Sequence, residues 1–213
     1  MIGVILRACA LAKPLSRTRY IRSVYVRSAG DLMPAALYHT VFTLLLGHTM
    51  IVYETPREAL RAGMRRLAAS VCVITAVDSQ GQRHAMTATA VSSVSDDPAS
   101  LLVCINKSAT LYEVLQSGSR FAVNVLPETA ADISQLCAMG DGGEARFQLG
   151  EWHSAHQLPY LASAEAVFFC ELATSLEHGT HLIAIGNLLA AQVAETDAAP
   201  LLYADGQYRQ LDK

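Results

Sequence analysis

Met86-Thr87-Ala88-Thr89-Ala90 is the stretch whose residue types best suit a flat ligand. On a strand, successive side chains alternate between faces, so Thr87 and Thr89 point one way and Ala88 and Ala90 the other. Two hydroxyls can bond the polar edge of a ring system, while alanines let the ring approach the backbone. The plainer reading of the same residues is a strand packed on a helix through its alanines. Further along, Asn106-Lys107-Ser108-Ala109-Thr110 lies where a strand-like run hands over to a helix-like one. A lysine, hydroxyls and free N–H groups at a helix start make an anion site suited to phosphate. An ordinary Ser or Asn cap beside an exposed lysine accounts for these residues equally.

Other spacings carry less. His178-x-x-His181 and His153-x-x-His156 have the interval of metal ligands, but on a strand positions i and i+3 face opposite sides and cannot easily share one ion. Gly140-Asp141-Gly142-Gly143 lacks the strand and helix context of a dinucleotide-binding turn, and no P-loop occurs. No Gly-x-Ser-x-Gly elbow supports a serine hydrolase.

The elements that must position these residues are mostly strands. Thr55-Pro56-Arg57-Glu58 starts a helix, with Thr as cap, Pro at the first helical position and Glu three after the cap. Leu60, Met64, Leu67 and Ala68 share one face, and the helix is expected to end near Ser70. From Val71 to Val77 the sequence is apolar and β-branched, a buried strand. Ser79-Gln80-Gly81 turns the chain into a second strand, His84 to Ser95, stopped by Asp96-Asp97-Pro98. Strands at Leu101–Asn106 and Phe121–Leu126 follow, with short helices at Ala109–Gln116 and Glu128–Met139. The stretch from Gly140 past Trp152 reads as a loop. Ala166–Leu176 and His181–Val193 form a hairpin-like pair, and Leu201–Tyr203 and Gln207–Leu211 flank the turn residues Asp205-Gly206. Dominant strands, short peripheral helices and no β-α alternation predict a closed or split antiparallel barrel.

Composition sets bounds on partners. The chain has 213 residues, 52% hydrophobic and only 16% charged, so apolar surface is expected to be buried against another subunit. All 19 acidic residues lie from Asp31 onward, while Arg7, Lys13, Arg17, Arg19, Arg22 and Arg27 precede it. The acidic body argues against nucleic acid as a partner. Residues 1–49 form an Arg-rich, acid-free half resembling an organelle-targeting segment, followed by an apolar half. That apolar stretch, Ala35 to Leu46, is shorter than the roughly 20 residues of a membrane span. The expected organisation is therefore a disordered or mis-started extension at 1–49 and one folded domain at 50–213. Five cysteines without paired spacing predict no disulfide framework, and a reducing, cytoplasmic setting.

Laid end to end, MTATAVSSVSDDPASLLVCINKSAT (86–110), RFAVNVL (120–126), ARFQLGEW (145–152), GTHLIAIGN (179–187) and PLLYADGQY (200–208) resemble the flavin reductase family of two-component flavin-dependent monooxygenases. The likeness runs from about Arg57 to Leu211. It implies a mainly β fold, an FMN-binding split β-barrel with short peripheral helices, usually a homodimer. FMN or FAD would be the flavin, NADH or NADPH the hydride donor, and a flavin-dependent monooxygenase component the recipient. By position, Thr87, Ala88, Thr89 and Ala90 would follow the flavin ring and ribityl chain, with Ser92, Ser93, Val94 and Ser95 lining the same region. Asn106, Lys107, Ser108 and Thr110 would hold the phosphate end, and Arg146 and Phe147 a loop near the flavin tail. His181 would meet the nicotinamide as the catalytic residue, with Tyr203 near it. Many relatives continue that histidine as His-Thr-Leu-Phe-Ile-Gly, whereas here His181-Leu182-Ile183-Ala184-Ile185-Gly186 gives a smaller lining. Two other functions fit such a fold: an oxidoreductase with fixed FMN, and a non-catalytic flavin-binding module.

Overall fold

The computed structural model describes residues 51, 53–116, 119–139 and 142–211. The expectation for residues 1–49 lies outside the described residues. Helix α1, Pro56–Met64, begins as expected, with Thr55 accepting a hydrogen bond from the Glu58 amide at 3.2 Å. It ends at Met64 rather than near Ser70, because Ala69–Ser70 instead forms a short strand, β1, paired with Tyr203 and Leu202. Its apolar face does not enter the core: no residue of α1 is buried, and Leu60 and Met64 are exposed.

The barrel is one seven-stranded antiparallel sheet. Its strands are β2 (Cys72–Val77), β3 (Arg83–Ala88), β4 (Val91–Asp96), β5 (Ala99–Asn106), β6 (Arg120–Val125), β9 (Ala166–His178) and β10 (His181–Val193). They are ordered β3-β2-β6-β9-β10-β5-β4. The predicted single strand from His84 to Ser95 is thus two strands, broken at Thr89-Ala90, and they form the two ends of the sheet. In a flat sheet, spacings of about 4.8 Å would hold those ends about 29 Å apart. The chain from Ala88 to Val91 spans at most about 11 Å. The sheet must therefore curl until its edges meet, and the seam where they meet is carried by Thr89 and Ala90. Closure is incomplete: β3 and β4 do not pair, and Ala90 instead accepts a hydrogen bond from the Cys104 amide at 3.0 Å.

Inside the barrel, Ile74, Ala88, Val103, Ile105, Phe121, Val123, Cys170, Leu182 and Ala184 form one core, sealed at one end by Leu111 and Leu115 of α2 (Thr110–Gln116). A second core lies on the other face of β2 and β3, where Val73 and Ala85 meet Ile133 and Cys137 of α3 (Ala131–Ala138). The helix expected over Glu128–Met139 shortens to α3, because Pro127 bridges to Pro200 and Glu128 donates to the Ala199 carbonyl. The predicted loop past Trp152 contains a 3-10 turn, Gly143–Phe147, and a hairpin of β7 (Trp152–Ala155) and β8 (Leu158–Leu161). His156 and Gln157 turn that hairpin with φ of 53° and 66°, a type I′ signature without the glycine that would have marked it. Buried polar groups fasten it to the barrel: Thr75 donates to the Pro159 carbonyl at 2.6 Å, and Asn124 accepts from the Leu161 amide at 2.8 Å. Strands β11 (Leu202–Ala204) and β12 (Gln207–Arg209) complete a three-stranded sheet with β1.

Register shifts bend the β9–β10 pair beside Gly186, where an added Cβ would lie 2.5 Å from Phe121 Cζ and 2.8 Å from Cys170 Cβ. Both neighbours are fully buried. Gly186→Ala is expected to lower unfolding free energy by about 1–3 kcal/mol, measured by urea denaturation; an unchanged midpoint would show that the barrel yields there.

Candidate functional site

Strand alternation sorts the candidate residues. In β5 and β10, Leu101, Val103, Ile105, Leu182 and Ala184 face the barrel interior. Leu102, Cys104, Asn106, His181, Ile183 and Ile185 therefore lie on the outer face. His181 stands directly opposite Asn106 across the β5–β10 ladder, and opposite His178 across β9–β10. Both His181 and Asn106 are exposed. The His181 ring is oriented by Thr180, whose Oγ1 lies 2.9 Å from Nδ1.

The seam delivers Thr89 and Ala90, both exposed, to the Cys104–Asn106 end of β5. The alternation expected of Thr87 through Ala90 holds only to Ala88, where β3 ends. Ala88 faces the interior core, and the Thr87 hydroxyl donates to the Ser134 carbonyl of α3 at 2.6 Å. Of the four, Thr89 and Ala90 are the ones whose side chains are open. Ser92 lies opposite Leu102 and Ser95 opposite Ser100, so Ser92–Ser95 run away from His181 along β5. Val94 is exposed, and the Ser95 hydroxyl is committed to the turn, donating to the Asp97 carbonyl at 3.0 Å.

The loop after β5 is held by its own side chains. Asn106 Oδ1 accepts from the Ser108 amide at 3.0 Å and the Ser108 hydroxyl at 2.9 Å. The Lys107 amide donates to the Thr180 carbonyl at 3.0 Å, tying the loop to the β9–β10 turn. The Lys107 ammonium lies 2.6 Å from Glu177, which also accepts from the Tyr112 hydroxyl at 2.6 Å. That hydrogen bond to Glu177 holds the Lys107 pKa above its usual value. Glu177 carried no sequence signal, since Lys107 and Tyr112 lie 70 and 65 positions away.

Arg146 is 5% exposed. Its guanidinium donates to the Ala85 carbonyl at 2.9 Å, to the Met139 carbonyl, and to Thr110 Oγ1 at 3.4 Å. It thus covers an open carbonyl of the edge strand β3 and brings a cation beside the start of α2. Phe147 packs edge-on against Trp152 and face-on against the Arg83 guanidinium, 4.2 Å away. Tyr203 is not brought to His181 within the chain. It sits in the three-stranded sheet, next to Tyr208, on the side of the barrel where β10 ends rather than where His181 opens it.

Burial pushes the Cys72 and Cys170 thiols up to about 12 and the Cys137 thiol up to about 11, so they stay protonated as small core residues. Among the described residues no group of three or more His, Cys, Asp or Glu is placed to hold a metal ion. Among the same residues no helix is long and apolar enough to cross a membrane.

The open barrel seam, with its small exposed residues, thus lies between the loop that carries Lys107 and the strand that carries His181. The model of the flavin reductase like domain matches residues 64–212; the chain belongs to that family. It is 40% identical over 166 residues to the reductase component of an FADH(2)-dependent resorcinol hydroxylase from Rhizobium sp. (strain MTP-10005), covering 77% of this chain and 92% of that one. It is 35% identical over 162 residues to the FMN reductase (NADH) RutF of Acinetobacter baylyi, covering 76% and 85%. Among solved structures, the NADH:FAD oxidoreductase SgcE6 of Streptomyces globisporus C-1027 superposes with a TM-score of 0.71 at 26% identity, covering 78% and 98%.

Because the Thr87 hydroxyl is spent on α3, Thr87→Val is expected to cost about 1 kcal/mol of stability by leaving the Ser134 carbonyl without that donor. Flavin titration of the variant should give an unaltered dissociation constant; a weakened one would return the hydroxyl to the cofactor.

Proposed function

We propose that this protein is an NAD(P)H:flavin oxidoreductase that supplies reduced FMN or FAD to a partner flavin-dependent monooxygenase. The observation that carries the reading is the juxtaposition at the seam. Thr89 and Ala90 offer exposed backbone with little bulk, beside Asn106, Lys107 and Ser108 on one side and His181 on the neighbouring strand. The donor set fits a flavin: hydroxyls and amides for a polar ring edge, cations for a phosphate, and no acidic side chain among the residues carried over from the resemblance.

A bound flavin supplies the hydride acceptor, so the protein need contribute no acid or base to the transfer itself. Its residues bind and orient. Thr87 and Ala88 act through the backbone, Thr89 and Ala90 through the open seam, and Ser92–Ser95 continue the same surface. Asn106, Lys107, Ser108, Thr110 and Arg146 hold the anionic end, with Phe147 supporting their loop. Lys107 must exchange Glu177 for phosphate, a small cost for an exposed ion pair. His181 would orient the nicotinamide donor against the ring, the positioning that hydride transfer requires of the protein.

The working form is a homodimer in the cytoplasm, in this reading. Leu176, Leu189 and Val193 stand exposed on β9 and β10, and Val94 on β4. Such a surface is of the kind another subunit covers. Tyr203 would then complete the donor site from the partner copy rather than from its own chain. The four cysteines of the described region are all free, in keeping with a reducing compartment.

NADH oxidation under air should depend on added FMN or FAD and turn over many times per protein. Protein that stays yellow through dialysis and ignores free flavin would instead mark a fixed-flavin oxidoreductase. Protein that binds flavin without oxidising NADH would mark a storage module. His181→Ala is expected to raise the nicotinamide KM severalfold with flavin affinity unchanged, and unaltered nicotinamide kinetics would remove the residue from the donor site.

A further inference from the structure

The two His-x-x-His spacings of the sequence end differently in the folded chain. In His153-x-x-His156 the rings go to different partners. His153 lies on β7 with Nε2 2.8 Å from Glu151, while His156 is itself a turn residue and leans its ring on Phe169. In His178-x-x-His181 the two are brought together. His178 is the last residue of β9 and His181 the first of β10, and they are direct partners in the ladder.

That positions three apart face opposite sides holds along a single strand, and a two-residue turn reverses it. Gly179 takes a φ of 54° at the first turn position, where a type II′ hairpin uses glycine. Residues flanking such a turn oppose one another, so their side chains leave the same face with Cβ atoms about 4.5–5.5 Å apart. That face is the outer one, since Leu182 and Ala184 point inward. Both histidines are exposed, and the next pair along the same face is Leu176 with Ile183, apolar rather than charged. Glu177 pairs with Leu182 and so faces the other way, taking its ion pair with Lys107 with it.

Two imidazoles side by side chelate first-row cations that favour nitrogen donors, whereas Mg²⁺ and Ca²⁺ favour oxygen. The donor nitrogen of His181 is set as well. The Thr180 hydroxyl lies 2.9 Å from Nδ1, and with the Nδ1 proton on that bond, Nε2 turns its lone pair outward. Ligating histidines are ordinarily held through their other ring nitrogen in this way. A third protein ligand is absent among the described residues, so water completes the coordination, as at other open zinc sites.

We propose that His178 and His181 form a two-histidine site for Zn²⁺ or a cation of the same class, Ni²⁺ included. The metal takes the His181 ring and withholds it from the nicotinamide donor, a consequence that alone rests on the flavin reductase reading. In that reading the donor must reach His181, so the hairpin tip stays open in a dimer too. The tip is then a metal-sensitive brake on donor use.

The test uses the full chain and its His178→Ala variant, whose exposed position leaves the fold intact, as thermal melting verifies. Calorimetry with Zn²⁺, and with Ni²⁺ in parallel, should show a site that His178→Ala weakens by about tenfold to a hundredfold, at least the cost of losing a ligand's outer-shell partner. Mg²⁺ should not bind there. Paramagnetic Ni²⁺ should broaden the imidazole NMR signals of His178 and His181 together, and before those of His153 and His156. Zn²⁺ binding that His178→Ala leaves unchanged, or broadening of one histidine of the pair without the other, overturns the site. With NADH and free FMN, Zn²⁺ should raise the NADH KM severalfold in the unaltered chain, reversibly with EDTA. His178→Ala, with normal metal-free rates, should escape that effect. Metal bound at the pair with unchanged NADH kinetics sustains the site and takes His181 out of the donor role instead. Failure to oxidise NADH at all defeats the reductase function separately, whatever the metal does.

Discussion

Everything at the site depends on one constraint: the two ends of a seven-stranded sheet are joined by Thr89 and Ala90. So short a link cannot cross a flat sheet, so the sheet closes on itself. There β3 and β4, the two ends of the sheet, come together without forming a ladder. The resulting seam leaves backbone and small side chains open to solvent at a place where both flanking strands are rigidly held. A binding surface on such strands is more sharply defined than one on free loops.

An open edge is also a liability, since its unpaired groups invite pairing with another chain. Arg146 answers part of it by donating to the Ala85 carbonyl of β3 while remaining buried. The same guanidinium reaches Thr110 and so ties edge protection to the start of α2. Asn124 and Thr75 do comparable work on the other side, holding the β7–β8 hairpin against β2 and β6 through buried hydrogen bonds. Each of these polar groups is costly to bury alone and is hydrogen-bonded to backbone atoms. The barrel therefore tolerates an incomplete closure without exposing its core.

Local chemistry was legible wherever one residue type dominates a turn or a run. The Thr55-Pro56 helix start, the apolar run of β2, the Asp205-Gly206 turn and the long β9–β10 hairpin all stand close to where residue patterns put them. The helix predicted over Glu128–Met139 forms only over Ala131–Ala138, because backbone pairing to Ala199 and Pro200 captures its first turn. The β7–β8 hairpin carries no local turn signal, because His156 and Gln157 take the positive φ angles that glycine or asparagine ordinarily advertise. Family likeness, rather than pattern, drew attention to Arg146, Phe147, His181 and Tyr203.

What the sequence by itself determined is the strand content, the period of each element and which groups are candidates for binding: small and hydroxyl-bearing residues at 87–90, lysine and serine at 107 and 108. These follow from side-chain type and spacing, which are local. Only the tertiary structure decided which of those groups are available. It broke the predicted His84–Ser95 strand at the seam, turned Ala88 into the core, spent Thr87 on α3, and set Tyr203 apart from His181. Such outcomes depend on pairings between segments distant in the chain, and sheet closure selects those pairings for the whole barrel at once.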